Sequence, residues 1–494
     1  MKKHTISKLF LYRHRFVIGY TLLALAFISL LAVLPSITPN GLSRAEMESA
    51  ALSNEVNHET ILNGNIIDLP YHVLQKASLM IFGLTTYGIK LPSIILGAIL
   101  GFLLILLLNR WFKNNVAIMA SILAVLSSSF LYISGSGTPL IMVVFWPTLL
   151  LWLGSKIQGV DRPKPFYCFL FSIFLLLSLF TPYMIFLAVF IVLYTLAHPH
   201  LRFTIKHLPR PPLMLTVFIG VCGIALILMN AIKSGNTINS LAFMKDFTWD
   251  EYWANIPRAF TPFFRWNGMV ESTFLAPLIG LASLALAITG LISTYNGFFA
   301  SRNSIATCLI LFTIFISGFN PDCAILLILP LAILIAHGFR YILNKWFGLF
   351  PENPYARVFG FVPIAIFLGI MISSDISHFI FGYRYNPAVA NEFSNDLQLI
   401  YEHVEDGSAL IVKKDELSFY RILESDSMFG PKKQLYITTE IPRVQHEKIA
   451  KLGTNEDETK VLDFKDYKLD HIGTSSKSQN SDRIYLYTLK HEDK

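Results

Sequence analysis

The sequence predicts an all-α polytopic membrane protein of about eleven transmembrane helices, followed by a small α/β domain. Three observations lead there. Long apolar runs free of charge recur along most of the chain. Basic residues gather in alternate connections between those runs. After residue 378 the composition turns polar and lysine-rich. A 494-residue chain that is 53% hydrophobic and 15% charged, with mean hydropathy +0.52, is far from ordinary soluble composition.

The first run, 16–36, is too long for a signal-peptide core and no small-residue cleavage motif follows, so it reads as a retained anchor. Segment 37–90 is only moderately apolar and carries Glu46, Glu48, Glu55, Glu59 and Asp68. Within it, 70–88 is expected to lie along the membrane surface rather than cross it, with Lys76 and Tyr87 at headgroup level. Spans follow at 91–109, 116–137 and 138–155, each near the roughly 20 residues a bilayer core requires. Run 166–198 is too long for one span, and Thr181-Pro182 at its midpoint divides it into a hairpin. Further spans are expected at 213–232, 272–294, 303–319, 323–339 and 358–374, with a long loop at 233–271. The membrane body is therefore 1–377, and 378–494 is a separate domain large enough for its own core. In that domain SALIVKK, KKQLYITT and RIYLYTL read as strands, and EFSNDLQLIYEHV and RVQHEKIAKLG as helices.

Placing the amino terminus in the cytoplasm puts 17 Lys and Arg residues in inside connections and 7 in outside ones, the bias that sets topology. That orientation leaves segment 37–90, loop 233–271 and the C-terminal domain extracytoplasmic, in a multi-pass protein of the cell membrane. The net charge of +7 is spread over inside loops, which argues against nucleic acid as a partner. Cys168, Cys222, Cys308 and Cys323 show no paired spacing, so neither a disulfide framework nor a metal cluster is expected. No metal or other cofactor is called for.

The uncharged spans count against an ion-coupled transporter or a channel, which keep ionisable groups at membrane depth for function. Chemistry is then expected in the outside loops. A carboxylate of the first loop suits a general base, taking a proton from an attacking hydroxyl; the plainer reading is a solvated helix face. The loop at 233–271 mixes Lys245, Arg258 and Arg265 with Trp249, Tyr252, Trp253, Phe260, Phe263, Phe264 and Trp266. Cations among rings at a membrane surface suit a lipid-linked phosphate. An aromatic belt with snorkelling cations explains the same pattern without a ligand. Asp250-Glu251 is too small a set for a metal. Asn320-Pro321-Asp322 reads as a helix start. Gly97 and Gly101 permit a close helix approach, and Ser134-Gly135-Ser136-Gly137 makes an outer turn.

After the first span the chain runs GLSRAEMESAALS and then NIIDLPYHVLQKASLMIFGLTTYGIKLPSIILGAILGFLLILLLNRWF. With Leu69-Pro70-Tyr71, Ile81-Phe82-Gly83 and Lys90-Leu91-Pro92-Ser93 in order, this opening resembles GT-C glycosyltransferases of the protein O-mannosyltransferase and lipid A aminoarabinose-transferase type. The resemblance implies a polyprenyl-phosphate-linked sugar donor and transfer on the outer face to a protein, glycan or lipid hydroxyl. The family's Asp-Glu pair becomes Ala45-Glu46 here. Three readings stay open: Glu46 is the base, another loop carboxylate such as Glu48 or Asp68 is, or transfer has been lost. Arg258, Arg265 and Lys245 are the expected ligands of the departing phosphate, by loop position and chemistry.

The expectation is a membrane glycosyltransferase acting by single displacement, with Glu46 facing an outward cavity shared with Arg258 or Arg265. The alternative is a catalytically silent scaffold or lipid-carrier-binding protein that presents the C-terminal domain. A third reading, a glycan or lipid-carrier translocase, would need a polar path through the bilayer; the uncharged spans count against it and leave neutral polar routes open.

Overall fold

The computed structural model describes residues 14–37, 41–57, 67–157, 165–206, 210–234, 241, 248–264, 278–295, 300–350, 355, 359–386, 389, 392–424, 428–431, 433–440, 442, 446–453, 466–475 and 483–490. It is mostly helical, with one small sheet near the C-terminal end.

Helix α1 (Arg15–Ile37) leads to α2 (Arg44–Glu55) and α3 (Leu69–Phe82). The stretch expected on the membrane surface is thus a helix of its own. It is closed by Gly83, whose φ of +66° favours glycine. Helix α4 (Thr86–Trp111) starts at the Thr85 cap and runs about 39 Å at 1.5 Å per residue. Gly101 lets the Phe27 ring of α1 approach; a Cβ there would meet it at 2.7 Å. Gly97 does the same for Ser134.

The run 116–137 is not one straight span. It forms α5 (Asn114–Val125) and α6 (Ser128–Gly135), bent by 63°. Three consecutive hydroxyls explain the break. Ser127 bonds back to Ala124 O, Ser128 to Asp375 O and Ser129 to Leu278 O, so the last two are drawn to α16 and to the segment just before α13. Helices α7 (Ile141–Ile157), α8 (Pro165–Ser178) and α9 (Met184–Ala197) follow, the last two separated at Thr181-Pro182 as the sequence indicates. Then come α10 (Pro199–Lys206), α11 (Arg210–Ser234), α12 (Trp249–Phe264), α13 (Leu281–Thr294) and α14 (Ser301–Ser317). A 3₁₀ turn over Pro321–Leu327, capped by the Asn320 side chain, feeds α15 (Ile328–Leu349), and α16 (Phe361–Tyr385) completes the bundle.

Among the described residues, three helices are long and apolar enough to cross a membrane alone, and four if the bent pair counts as one span. Six more apolar helices are 10–17 residues long. The count of about eleven is therefore not reached by length. The expectation of no charge inside a span also needs correction. Helix α16 continues through Asp375, which is 3% exposed and accepts the Gly280 N–H at the start of α13. A carboxylate meeting an orphan helix amide is an ordinary use for a buried acid.

The C-terminal sheet has the order β2-β1-β3-β5-β4: β1 (Ala409–Ile411), β2 (Tyr436–Thr438), β3 (Lys448–Gly453), β4 (Tyr467–Thr474) and β5 (Arg483–Leu489). β1 lies parallel to β2 and β3, and β5 antiparallel to β3 and β4. Helix α17 (Leu397–His403) forms where a helix is expected. The second expected helix, over RVQHEKIAKLG, instead supplies β3. Its Ile449, Ala450 and Leu452 are buried in the middle of the sheet, where pairing on both sides overrides local propensity.

Helices α13 and α15 cross at two glycines. A Cβ on Gly290 would collide with Leu334 O, and one on Gly338 with Leu286 O. Gly290→Val should cost about 1–3 kcal/mol by overpacking and lower the melting temperature in detergent. Gly19→Val serves as control, since a Cβ there meets nothing within 4 Å. Equal melting of the two variants contradicts the packing account.

Candidate active site beneath the C-terminal domain

Helix α2 opens with Ser43-Arg44-Ala45-Glu46, a capping box. The Ser43 hydroxyl accepts the Glu46 N–H at 3.2 Å, and Glu46 Oε2 accepts the Ser43 N–H at 3.0 Å. The remaining oxygen, Oε1, accepts the Gly137 N–H at 2.7 Å and faces Lys90 Nζ at 3.6 Å. Both side chains of that ion pair are 0% exposed. Lys90 Nζ also lies 6.0 Å from the centre of the Phe393 ring.

Gln75 braces the same junction. Its amide nitrogen donates to Ile89 O and Gly137 O, and its oxygen accepts from the Ser49 and Ser53 hydroxyls. One buried amide thus joins α2, α3, the start of α4 and the turn after α6. The Tyr71 and Ser93 hydroxyls share a further bond of 2.8 Å between α3 and α4.

Other segments converge here. Tyr132 of α6 stacks on Tyr383 of α16 at 5.0 Å. Glu392, half-buried just after α16, holds its proton more tightly than an ordinary carboxyl because of burial, and then because of Glu46 and Asp322. Asp322 stands at the start of the 3₁₀ turn below. Asp68 precedes α3 in a left-handed conformation, φ 50°. Burial lifts its carboxyl to about 8; it bonds the Thr181 hydroxyl, which accepts Trp146 Nε1–H at 2.9 Å. Its Oδ1 is buried without a hydrogen bond. Helix α12 lies against this end: Asn255 donates to Gly318 O, and Tyr252 packs edge-on to Phe319 at 5.1 Å.

The expected site residues fall unevenly. Glu46 is enclosed, so it lines no outward cavity. Its two oxygens are spent on Ser43, Gly137 and Lys90, and burial leaves no room for an acceptor hydroxyl. Ala45, beside it, is exposed. Glu48 is exposed and paired with Arg44 at 3.1 Å, and Arg44 also reaches Asp415 of the C-terminal domain at 3.4 Å. Arg258 is exposed on α12, one turn beyond Asn255. Lys245 and Arg265 lie outside the described residues. Sequence reasoning missed Glu392 and the capping box. The Ser43-x-x-Glu46 spacing is a readable signal; nothing local marks Glu392. No group of three or more metal-type ligands occurs among the described residues.

The sequence profile of the dolichyl-phosphate-mannose-protein mannosyltransferase family matches residues 70–228. By sequence, no curated protein matches the chain. Among solved structures, ArnT from Cupriavidus metallidurans bound to undecaprenyl phosphate superposes with a TM-score of 0.56 at 11% identity, over 96% of this chain and 98% of that one. The GT-C resemblance holds. The apo form of the same ArnT gives 0.53 at 10% identity, covering 95% and 98%. An oligosaccharyltransferase from Archaeoglobus fulgidus aligns at 12% identity and TM-score 0.48, over 84% of this chain and 64% of that one. Of the neighbouring residues Ala45 and Glu46, one side chain is open and the other sealed.

Removing one partner of a sealed ion pair strands the other. Lys90→Met should cost about 3–5 kcal/mol, read as lost thermal stability in nanodiscs. Adding Glu46→Gln should recover part of that loss, because the Gln oxygen still accepts Gly137 N–H. If the double variant is less stable than either single one, the pair is not the controlling interaction.

Proposed function

We propose that the chain is a membrane glycosyltransferase that moves a sugar from a polyprenyl-phosphate donor to an acceptor hydroxyl on the extracytoplasmic face. The observation that carries this reading is the ArnT-like fold over nearly the whole chain, with protonatable carboxylates gathered at the mouth of the bundle. Transfer is a single displacement at the anomeric carbon. The acceptor oxygen loses its proton to a carboxylate and forms the new glycosidic bond, while the carbon–oxygen bond to phosphate breaks. The carrier phosphate leaves with the electron pair, its charge met by Arg258, with Lys245 and Arg265 of the same loop as further ligands.

Glu46, the carboxylate expected as base, would have to leave Lys90 and two backbone amides to reach a hydroxyl. Glu392 has the better environment: it is part-exposed, and its pKa is raised toward the range where a base works at neutral pH. We therefore assign Glu392 as base and Glu46 as the group that holds the site closed from below. Ala45 favours a second reading, a silent lipid-carrier-binding protein, since the open position beside Glu46 holds a methyl group in place of the family's Asp.

With synthetic polyprenyl-phosphate sugars, the purified protein is expected to release carrier phosphate, and Glu392→Gln to lower the rate about 10²–10⁴-fold. Carrier binding with no release under any acceptor supports the silent reading. The base must be unprotonated, so the rate should rise with pH through a value above the ordinary carboxylate range. Glu46→Gln removes a negative neighbour and should move that limb to lower pH, at a cost in stability because Lys90 is stranded, with turnover retained in the protein that folds. Abolished turnover in a folded Glu46→Gln protein returns the base role to Glu46.

A further inference from the structure

Helix α3 is inside-out for a water-soluble surface. Its buried face holds Tyr71, His72, Gln75 and Ser78, while Val73, Leu74, Met80, Ile81 and Phe82 are exposed. The exposed apolar surface continues on α4 through Ile95, Ile99, Phe102 and Leu106, spaced four, three and four residues apart as one helical stripe. Among the described residues, helix α4 is one of three long and apolar enough to span, and an exposed apolar stripe on such a helix suits contact with lipid. Tyr87, also exposed, carries the stripe up to the short turn that joins α4 to the exposed Phe82 at the end of α3.

The C-terminal domain joins this surface by its backbone. Met428 N–H donates to Met80 O at 3.0 Å, and Phe429 N–H to Ile81 O at 2.8 Å. These are carbonyls of the last turn of α3, which no later amide of that helix reaches. The bonds hold the loop against α3 while the two side chains point away from the protein, 77% and 79% exposed. A large thioether and a phenyl ring side by side on an exposed loop are a poor fit to water.

We propose that Met428 and Phe429 insert into the leaflet at the α3 end of the bundle, anchoring the C-terminal domain to the bilayer through the acyl–headgroup boundary. The occupant is lipid because the patch is continuous with the lipid-facing stripe of α4 and its apolar residues face outward on both elements. The inference concerns where the domain rests and is independent of the transferase reading. Its geometry keeps the domain seated over the mouth of the bundle, with α3 as both floor and membrane contact.

The unmodified full-length chain in phosphatidylethanolamine–phosphatidylglycerol nanodiscs can be photolysed with a phospholipid bearing a diazirine in its acyl chain. Mass spectrometry is expected to find adducts on Met428 or Phe429 as well as on the α4 stripe. Adducts on α4 with none at 428–429 overturn the proposal. A second measurement uses a nitroxide on Phe429→Cys, with the four native cysteines replaced by serine, and Asp470→Cys on the sheet as control. Oxygen should relax the Phe429 label more strongly than an aqueous nickel chelate does, with the order reversed at 470. A label at 429 reached best by nickel, or by neither reagent, as under a covering protein, also overturns it.

Discussion

A carboxylate sealed from water must find every partner inside the protein, and Glu46 finds its partners on three separate elements. Its own helix supplies the Ser43 amide, the turn after α6 supplies the Gly137 amide, and α4 supplies the Lys90 ammonium. None of these groups can be withdrawn cheaply, because an unpaired buried charge costs far more than a satisfied one contributes. The three elements are therefore fixed relative to one another by a constraint that is local in space and distant in sequence. Gln75 repeats the device one layer away with a neutral group, using both ends of its amide. The mouth of the bundle is built on these two side chains.

The chemistry proposed for the site follows from what the constraint leaves unused. A base needs exposure, a raised pKa and negative surroundings that restrain ionisation without preventing it. Glu46 and Asp322 provide the negative surroundings and Glu392 the exposure. The buried Asp68, facing Thr181, offers protonation near neutral pH without access. On that proposal, carboxylates of one cluster divide the work between them.

Much of the bundle was legible in the chain. Uncharged runs mark its helices, Thr181-Pro182 marks the hairpin break, and Asn320-Pro321-Asp322 marks a start. The bend after Val125 was not, because it depends on where Ser128 and Ser129 find carbonyls on distant segments. Nor was the burial of Asp375, whose partner amide is at Gly280. The strand over Lys448–Gly453 carries a helix-tolerant sequence and is decided by neighbours on both sides. Glu46 was legible as a residue of interest. Its burial was not, since Gly137 and Lys90 are distant in sequence, and the local Ser43-x-x-Glu46 spacing reveals only one of its two engaged oxygens.

The isolated bridge between Leu42 and Asn395 ties the segment before α2 to the segment after α16. During synthesis the earlier partner waits through nearly all the membrane insertion before the later one emerges. The bridge therefore cannot form until the chain has been made through Asn395, so the mouth of the bundle closes only after α16 is complete.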